Sequence, residues 1–467
     1  MGNAILLDFG STFTKATVVD LDARKIVLAE KEPSTVGVDA KIALDRLYDK
    51  IRREIGEENF RQARKLATSS AAGGLRMIVI GLTPTLSIVA GKNAAFGAGA
   101  KILKSYSGFL TDEDVAEIES SRAEIILLCG GYEGGNTTAV LHNVNMLGKM
   151  DNRIPIIYAG NSEILKDVKI GFYLKRKECF VVNNIIPRVG EVDSAHAESL
   201  IRNIFLERIT NMKGLDKVKS AIERIVMPTP AAVLEAGELL ARGCGSEPGL
   251  GDLMIVDIGG ATTDIHTYCE PRAYEGAKIV GSPEPYAKRT VEGDLGMRES
   301  SGLVIEEIGS AQAAADLGIT EEQLGSSIGR RLENIKFLPA DDPAHRELEL
   351  RVDEQIACYA CRTAVRRHSG KLEHVRSRVC PLVQKGKNLS RIRTVIGTGG
   401  PIIHSGAPGR ILAEAVTTEQ DVKLNYMLPR SAEFFVDTDY VFYAAGILKE
   451  IDPEAALAIM KNSLKQV

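Results

Sequence analysis

Apolar and polar positions follow two different periods along this chain. An apolar run, Ala4–Asp8, leads through a glycine turn into two further runs, Thr14–Val19 and Lys25–Glu30. Short turns join the three, which predicts an antiparallel meander. Ile42, Leu44, Leu47, Ile51 and Ile55 then recur mostly at three- and four-residue steps, the spacing of one helix face. From about 64 to 190 the apolar runs Met77–Leu82, Ile125–Cys129, Ile154–Tyr158 and Phe180–Ile186 are separated by helical segments. That alternation predicts a parallel or mixed sheet of its own. Thr111 reads as the cap of a helix over Asp112–Glu119. Residues 192–226 read as helical up to the break at Pro228-Thr229-Pro230, and a new helix runs Ala231–Arg242. A glycine-rich loop, Gly243–Gly251, precedes the strand Leu253–Asp257. Helices dominate 303–369, followed by a strand Thr394–Ile396 and a helix over Tyr440–Lys449. No 20–50-residue repeat and no low-complexity linker interrupts this order.

Composition narrows the picture. A chain of 467 residues is long enough for about two to four domains. The formal charge is 58 − 62 = −4, so no global field draws it to nucleic acid or anionic lipid. Seven Cys in such a length read as reduced thiols, not as a disulfide framework. The first residues lack a basic segment followed by an apolar one, and no apolar run approaches the ~20 residues that span a bilayer. The expectation is a cytoplasmic protein without membrane or nucleic-acid partners.

The chemistry concentrates in two segments of one design. The first is Leu6-Leu7-Asp8-Phe9-Gly10-Ser11-Thr12-Phe13-Thr14-Lys15, the second Ile255-Val256-Asp257-Ile258-Gly259-Gly260-Ala261-Thr262-Thr263-Asp264. Glycine lets backbone N–H groups approach phosphate oxygens, and the hydroxyls of Ser11, Thr12, Thr262 and Thr263 add donors. An aspartate at each strand end can hold magnesium through water, because magnesium keeps several of its waters. The GxxxxGK[ST] spacing of a Walker A loop is missing from both. Either loop alone reads equally well as an ordinary hairpin turn; two copies half a chain apart do not. A third glycine cluster, Gly397-Thr398-Gly399-Gly400-Pro401, again follows a strand. It reads as a strand-to-helix turn or as a backbone platform for adenosine.

The order of these pieces resembles the superfamily of sugar kinases, heat-shock chaperone ATPases and actin. The resemblance implies an α/β, two-lobed actin-like ATPase (ribonuclease H-like) fold with an inserted α/β region in the first lobe. Expected boundaries are 1–75 and 191–245 for the first lobe, 76–190 for the insert and 246–467 for the second lobe. By this resemblance Asp8 and Asp257 organise Mg2+ and the attacking water. Gly10, Ser11, Thr12, Lys15, Gly259, Gly260, Thr262 and Thr263 surround the phosphates, and Gly397, Gly399 and Gly400 meet the adenosine of ATP. The segment Thr229–Gly237 and its partner Ala444-Ala445-Gly446 match the two helices that cross where the halves hinge, small residues allowing close approach. Chaperone-like members carry an acid where this chain has Thr229, which implies slow ATP turnover.

Within that superfamily the chain resembles the MutL/GlmL family, accessory proteins of adenosylcobalamin-dependent glutamate mutase and related aminomutases. The match lies in NAILLDFGSTFTKA, MPTPAAVLEAGELLA before MIVDIGGATTDIHT, VEGDLGMR and VIGTGGPIIH, and it spans nearly the whole chain. It implies a reactivating chaperone whose partner is the mutase, with a homo-oligomer left open. A small-molecule kinase and an iron–sulfur activator of a dehydratase are the other classes this fold serves. The insert is expected to contact the mutase or to imitate its cobalamin-binding subunit.

Four further features are weighed against structural readings. His266, in Asp264-Ile265-His266-Thr267-Tyr268-Cys269, falls short of a cobalt-ligating DxHxxG pattern and reads as a strand residue. Cys358 and Cys361 are spaced for a helix and read as buried packing, with metal or redox work as the alternative. Ten Lys or Arg (362, 366, 367, 371, 376, 378, 385, 387, 391 and 393) stand against one acid, Glu373, over Arg362–Arg393. That run reads as a solvated face, with a nucleotide flank or acidic-partner dock as the alternative. Gly130-Gly131-Tyr132-Glu133-Gly134-Gly135 reads as a tight turn before a helix, with a phosphate site at that helix start as the alternative.

Overall fold

The computed structural model describes residues 2–10, 13–36, 38–70, 75–210, 218–245, 247–376 and 381–467. They form two compact units. Met1–Ala236, Gly281–Pro283 and Tyr443–Ile459 make the first; Gly237–Val280, Glu284–Phe442 and Met460–Val467 make the second.

In the first unit, β1 (Asn3–Phe9), β2 (Phe13–Asp20) and β3 (Lys25–Pro33) form the antiparallel meander, and β4 (Arg64–Ser69) runs parallel to β1. The central β1 is buried along almost its whole length, whereas β3, at the sheet edge, alternates. That is why β1 reads as a continuous apolar run. The helix Ala40–Ile55 starts at Asp39, whose carboxylate accepts from the Lys41 N–H, and it buries Leu44, Leu47 and Ile51.

Between β4 and the last strand of this sheet the chain builds a second one. Its strands are β5 (Arg76–Gly81), β6 (Lys101–Ser107), β7 (Ile125–Gly130), β8 (Ile156–Gly160) and β9 (Cys179–Val181), all parallel. The order β6-β5-β7-β8-β9 is the 2-1-3-4-5 arrangement of a flavodoxin-like doubly wound sheet. Strand residues divide by parity. Ile78, Ile80, Ile126 and Leu128 share a core with the helices Asp112–Ser120, Thr138–Leu147 and Leu165–Leu174. Met77, Val79, Ile125 and Leu127 face the helices Ser87–Gly97 and Ala195–Thr210, in a core that continues to Ile5 and Leu7 of β1.

The chain then returns to the first sheet. β10 (Arg224–Pro228) pairs parallel with β4, giving the order β3-β2-β1-β4-β10. Here the helical reading of 192–226 is corrected: helix covers Ala195–Thr210, but Arg224 onwards is strand. The run Arg224-Ile225-Val226-Met227 is short, and only the distant β4 ladder decides its conformation.

The second unit opens with a small hairpin, β11 (Gly243–Cys244) and β12 (Glu247–Pro248), after the helix Thr229–Arg242. β13 (Leu253–Ile258), β14 (Thr263–Tyr268) and, after the short β15 (Lys278–Val280), β16 (Ala287–Glu292) form another antiparallel meander. β17 (Lys371–His374) and β18 (Leu382–Lys385) join β15 in a separate sheet. β19 (Thr394–Thr398) and β20 (Glu433–Asp437) extend β13 in parallel, and β21 (Leu464–Gln466) closes the edge. The order β16-β14-β13-β19-β20 repeats that of the first unit strand for strand. Two ribonuclease H-like sheets in one chain make this the actin-like ATPase fold. No helix among the described residues is long and apolar enough to cross a membrane.

Candidate functional site

Both Asp-x-Gly segments are hairpins of the same register. Asp8 lies opposite Lys15 and Phe9 opposite Thr14; Asp257 lies opposite Asp264 and Ile258 opposite Thr263. In each, the glycine N–H closes the turn onto the carbonyl three residues on: Gly10 to Phe13 at 3.1 Å, Gly259 to Thr262 at 2.8 Å. A Cβ on Gly10 would stand 2.6 Å from the Phe13 carbonyl oxygen, so only glycine fits there. Ser11 and Thr12 lie outside the described residues.

The two aspartates sit differently. Asp8 is 3% exposed, with Lys15 Nζ 3.7 Å from Oδ2 and Thr229 Oγ1 donating to Oδ1 at 2.7 Å. Burial raises its pKa above the usual carboxylate value, against Lys15 and Thr229. Asp257 is half-buried. Its cross-strand neighbour Asp264 is held by Arg289, with Nε at 2.9 Å, and by Thr262 Oγ1 at 2.9 Å. Arg289 thus removes the like-charge conflict that two adjacent aspartates would create. Thr263 turns its hydroxyl into the core, onto the Leu295 carbonyl at 2.7 Å, while Thr262 stays at the turn.

This geometry sits in a chain whose residues 4–464 match the family model described as MutL protein. The chain belongs to the MutL family. Protein MutL of Clostridium tetanomorphum is 39% identical over 470 aligned residues, covering 99% of each chain. Among solved structures, xylulose kinase from Bifidobacterium adolescentis aligns over 98% of this chain and 92% of its own, at 12% identity and a TM-score of 0.31. The ethanolamine utilization protein EutJ from Carboxydothermus hydrogenoformans aligns over 98% and 90%, at 11% identity and a TM-score of 0.23. Superpositions that loose carry no weight, and the fold assignment rests on the repeated strand order.

Two further segments buttress the second hairpin. In Val291–Arg298, the Met297 N–H bonds the Gly259 carbonyl at 3.1 Å and the Arg298 N–H bonds the Gly260 carbonyl at 2.8 Å. Gly296 passes so close to Ala261 that a Cβ would fall 2.4 Å from its backbone. The Arg298 guanidinium forks onto Asp353 at 3.0 and 2.8 Å, fixing the buttress to the helix Arg346–His368. The Gly397–Pro401 turn is tied to the same hairpin. Gly399 takes φ +90, and a Cβ there would lie 2.2 Å from the Ile258 carbonyl oxygen and 2.7 Å from Asp257 Oδ1. Gly400 opens the short helix Gly400–Ile403 with nothing within 4 Å of its missing Cβ. Gly397 is packed against Ile402 and Leu412 and turns inward.

The helix Thr229–Arg242 and the helix Phe442–Leu448 meet where small residues permit: a Cβ on Gly446 would stand 2.0 Å from the Ala232 carbonyl oxygen. Lys449 pairs with Glu235, which Arg202 also approaches at 3.4 Å. Burial works against the Glu235 charge, but Lys449 and Arg202 outweigh it and hold its pKa below the usual range. Asp437, which sequence reasoning missed, ends β20 as a fully buried carboxylate. It accepts from Ser463 Oγ at 2.6 Å, Thr398 Oγ1 at 3.2 Å and the Val441 N–H at 3.0 Å. Burial pushes its pKa up to about 6 against those donors. The signal available was an aspartate closing an apolar strand just before a helix, the same arrangement as Asp8 and Asp257 before their turns.

The remaining candidates resolve as structure. His266 lies on β14, 1% exposed, and burial, with Arg289, pushes its pKa down to about 3. Cys358 and Cys361 are both fully buried in the second core, and burial pushes the Cys358 thiol up to about 12. No group of three or more His, Cys, Asp or Glu fit to hold a metal ion occurs among the described residues. Most of the described basic run is exposed, Arg362, Arg367, Lys371, Arg376, Lys385, Arg391 and Arg393 among it, whereas Lys387 is buried, and several members are ion-paired. Arg362 pairs with Glu414, Arg366 with Asp421, Arg367 with Glu292, Asp294 and Glu307, and Lys385 with Glu373. Arg378 lies outside the described residues. In the Gly130–Gly135 turn, Gly130, Gly131 and Gly134 have positive φ, and Glu133 accepts from Ser162 and Asn184.

Proposed function

We propose that this MutL-family chain binds ATP with Mg2+, hydrolyses it slowly, and serves as an accessory reactivating chaperone to an adenosylcobalamin-dependent mutase. The reading is carried by one observation: each unit contributes an Asp-x-Gly hairpin of identical register at the corresponding strand end. The residues fit a magnesium nucleotide. A buried carboxylate whose pKa is raised, as at Asp8, is a group that a nearby cation restores to its ionised form. Asp8 and Asp257 would hold the ion; Gly10, Ser11, Thr12, Lys15, Gly259, Gly260 and Thr262 would hold the phosphates, while the Thr263 hydroxyl is spent on the Leu295 carbonyl; Gly399 and Gly400 would meet the adenosine, with Gly397 packed behind them. When bound, magnesium supplies charge neutralisation on the phosphate oxygens. Thr229 keeps Asp8 oriented by donating to one oxygen, so the other stays directed toward Lys15. Thr229 cannot itself take up a proton from water, which favours slow turnover. The mutase partnership rests on family membership.

Calorimetry on the pure chain tests the first claim. Mg·ATP uptake is expected, weakened at least tenfold in Asp8→Asn and in Asp257→Asn; folded wild-type protein that takes up no nucleotide overturns it. Recovery of an inactivated mutase by the chain with ATP, and not without, tests the second.

A further inference from the structure

The helix Leu165–Leu174 packs Val168 and Phe172, both fully buried, against the flavodoxin-like sheet. Its opposite face carries Ile170, Tyr173 and Leu174, exposed by 46%, 81% and 71%. Their spacing of three and four residues puts them on one stripe. Lys166, Lys169, Lys175 and Arg176 surround that stripe and are all exposed. None of the four has an ion-pair partner among the described residues, in contrast to Arg362, Arg366 and Arg367 in the second unit. With Asp167 as the acid of this stretch, the face carries 4 − 1 = +3 in a chain of net charge −4.

Ordinary helix energetics do not account for this face. Cations at a helix C-terminus complement its dipole, which covers Lys175 and Arg176. Lys166 lies in the first turn, where the same dipole disfavours it, and Lys169 lies beyond the reach of either end. Arg176 also takes φ 55, the left-handed position that follows a helix end and usually falls to glycine. The neighbouring Lys177, by contrast, is buried and caps the Met150 and Asn152 carbonyls. Large apolar side chains ringed by unpaired cations have the composition of an interface anchor with a charged rim.

We propose that this face docks an acidic protein surface, with Tyr173, Leu174 and Ile170 entering an apolar groove whose rim carboxylates meet Lys166, Lys169, Lys175 and Arg176. A second copy of the chain meeting the same face would set +3 against +3. A lipid surface is disfavoured because an interfacial helix inserts its continuous apolar side, and here that side, Val168 and Phe172, is spent on the protein core. The proposal is independent of nucleotide binding.

The test places photoreactive p-benzoylphenylalanine at Tyr173 in the full chain and, as control, at Leu332, 47% exposed in the second unit. After illumination in cells, the expected result is a discrete protein adduct at position 173 alone, through a segment rich in Asp and Glu. The complex rebuilt from that purified partner should weaken at least tenfold in Lys169→Glu/Arg176→Glu, and again between 50 and 300 mM salt. Circular dichroism should show the variant folded with an unchanged melting temperature. No adduct beyond the control, a lipid adduct, a neutral or basic contact segment, or undiminished binding by the charge-reversed chain would each overturn the proposal.

Discussion

His266 and His368 are buried and neutral, and that sets a pH dependence for the second unit. His368 is satisfied, with Nε2 2.8 Å from Thr267 Oγ1 and Nδ1 2.7 Å from Thr290 Oγ1, and burial with Lys288 and Lys387 lowers its pKa well below 6.5. His266 has no hydrogen-bond partner at Nδ1 among the described residues, and its pKa falls from 6.5 to about 3. A histidine with a depressed folded pKa binds fewer protons folded than unfolded, so the stability it contributes is complete above 6.5 and is lost as pH falls from 6.5 toward 3. Replacing His266 by Leu removes one such group. Between pH 7.5 and 5 the wild-type chain should therefore lose about 2 kcal/mol more stability than His266→Leu. Urea titrations at the two pH values measure the difference, and equal losses would show that His266 is protonated in the folded state. The residue scale is also where sequence reading stops. Asp8 announces itself by its turn, but its bond to Thr229, 221 residues away, leaves no local mark. For Asp437 the strand end and the Val441 N–H four residues on are local, but its bonds from Ser463 and Thr398, 26 and 39 residues away, leave no such mark.

Elements were legible where their own residues decide them. The two Asp-x-Gly hairpins are local: a strand, a glycine that must turn, and a returning strand, all within a dozen residues. β6 and β10 were not legible. β6 is an edge strand of its sheet with Lys101, Lys104 and Ser105 among its seven residues, so it has no apolar run. β10 takes its conformation from β4. Packing between elements can be tested with a pair of glycines. In the helix Phe442–Leu448, Gly446→Ala drives a methyl to within 2.0 Å of a backbone oxygen of the facing helix. Overpacking of that kind costs about 1–3 kcal/mol. In the helix Glu321–Glu333, Gly325 has nothing within 4 Å of its missing Cβ. Gly325→Ala there should stabilise by about 0.5–1 kcal/mol, since alanine loses less backbone freedom than glycine in a helix. Thermal melts should thus move in opposite directions; a Gly446→Ala chain as stable as wild type would mean the two helices can separate at no cost.

On the scale of the whole molecule, the repeat of one strand order in two units explains why the fold could be read from motifs alone. Each motif sits at the same topological place, the end of the first strand of its sheet. The flavodoxin-like segment is different, because its function has no motif and its boundaries are blurred by packing. Its fifth helix, Ala195–Thr210, lies beyond the last of its strands, and Ala197, Ile201, Ile204 and Phe205 bury against the core that also holds Ile5, Leu7, Val79 and Leu127. Excising 76–187 would therefore do more than remove a partner-binding module. It strips the cover from much of that helix face and from the sheet residues that share its core. Exposing three large side chains of this kind costs roughly 5–9 kcal/mol at about 1.5–3 kcal/mol each. That is comparable to the ~5–15 kcal/mol that holds a domain folded. The deleted chain is expected to lose cooperative unfolding in the first unit and to elute as aggregate, with or without Mg·ATP. A monomeric, cooperatively melting product would instead mean that the segment has a core of its own, separable from β1 and β4. Partner binding by this segment is then better judged from its exposed helix faces, where substitutions leave the shared core intact.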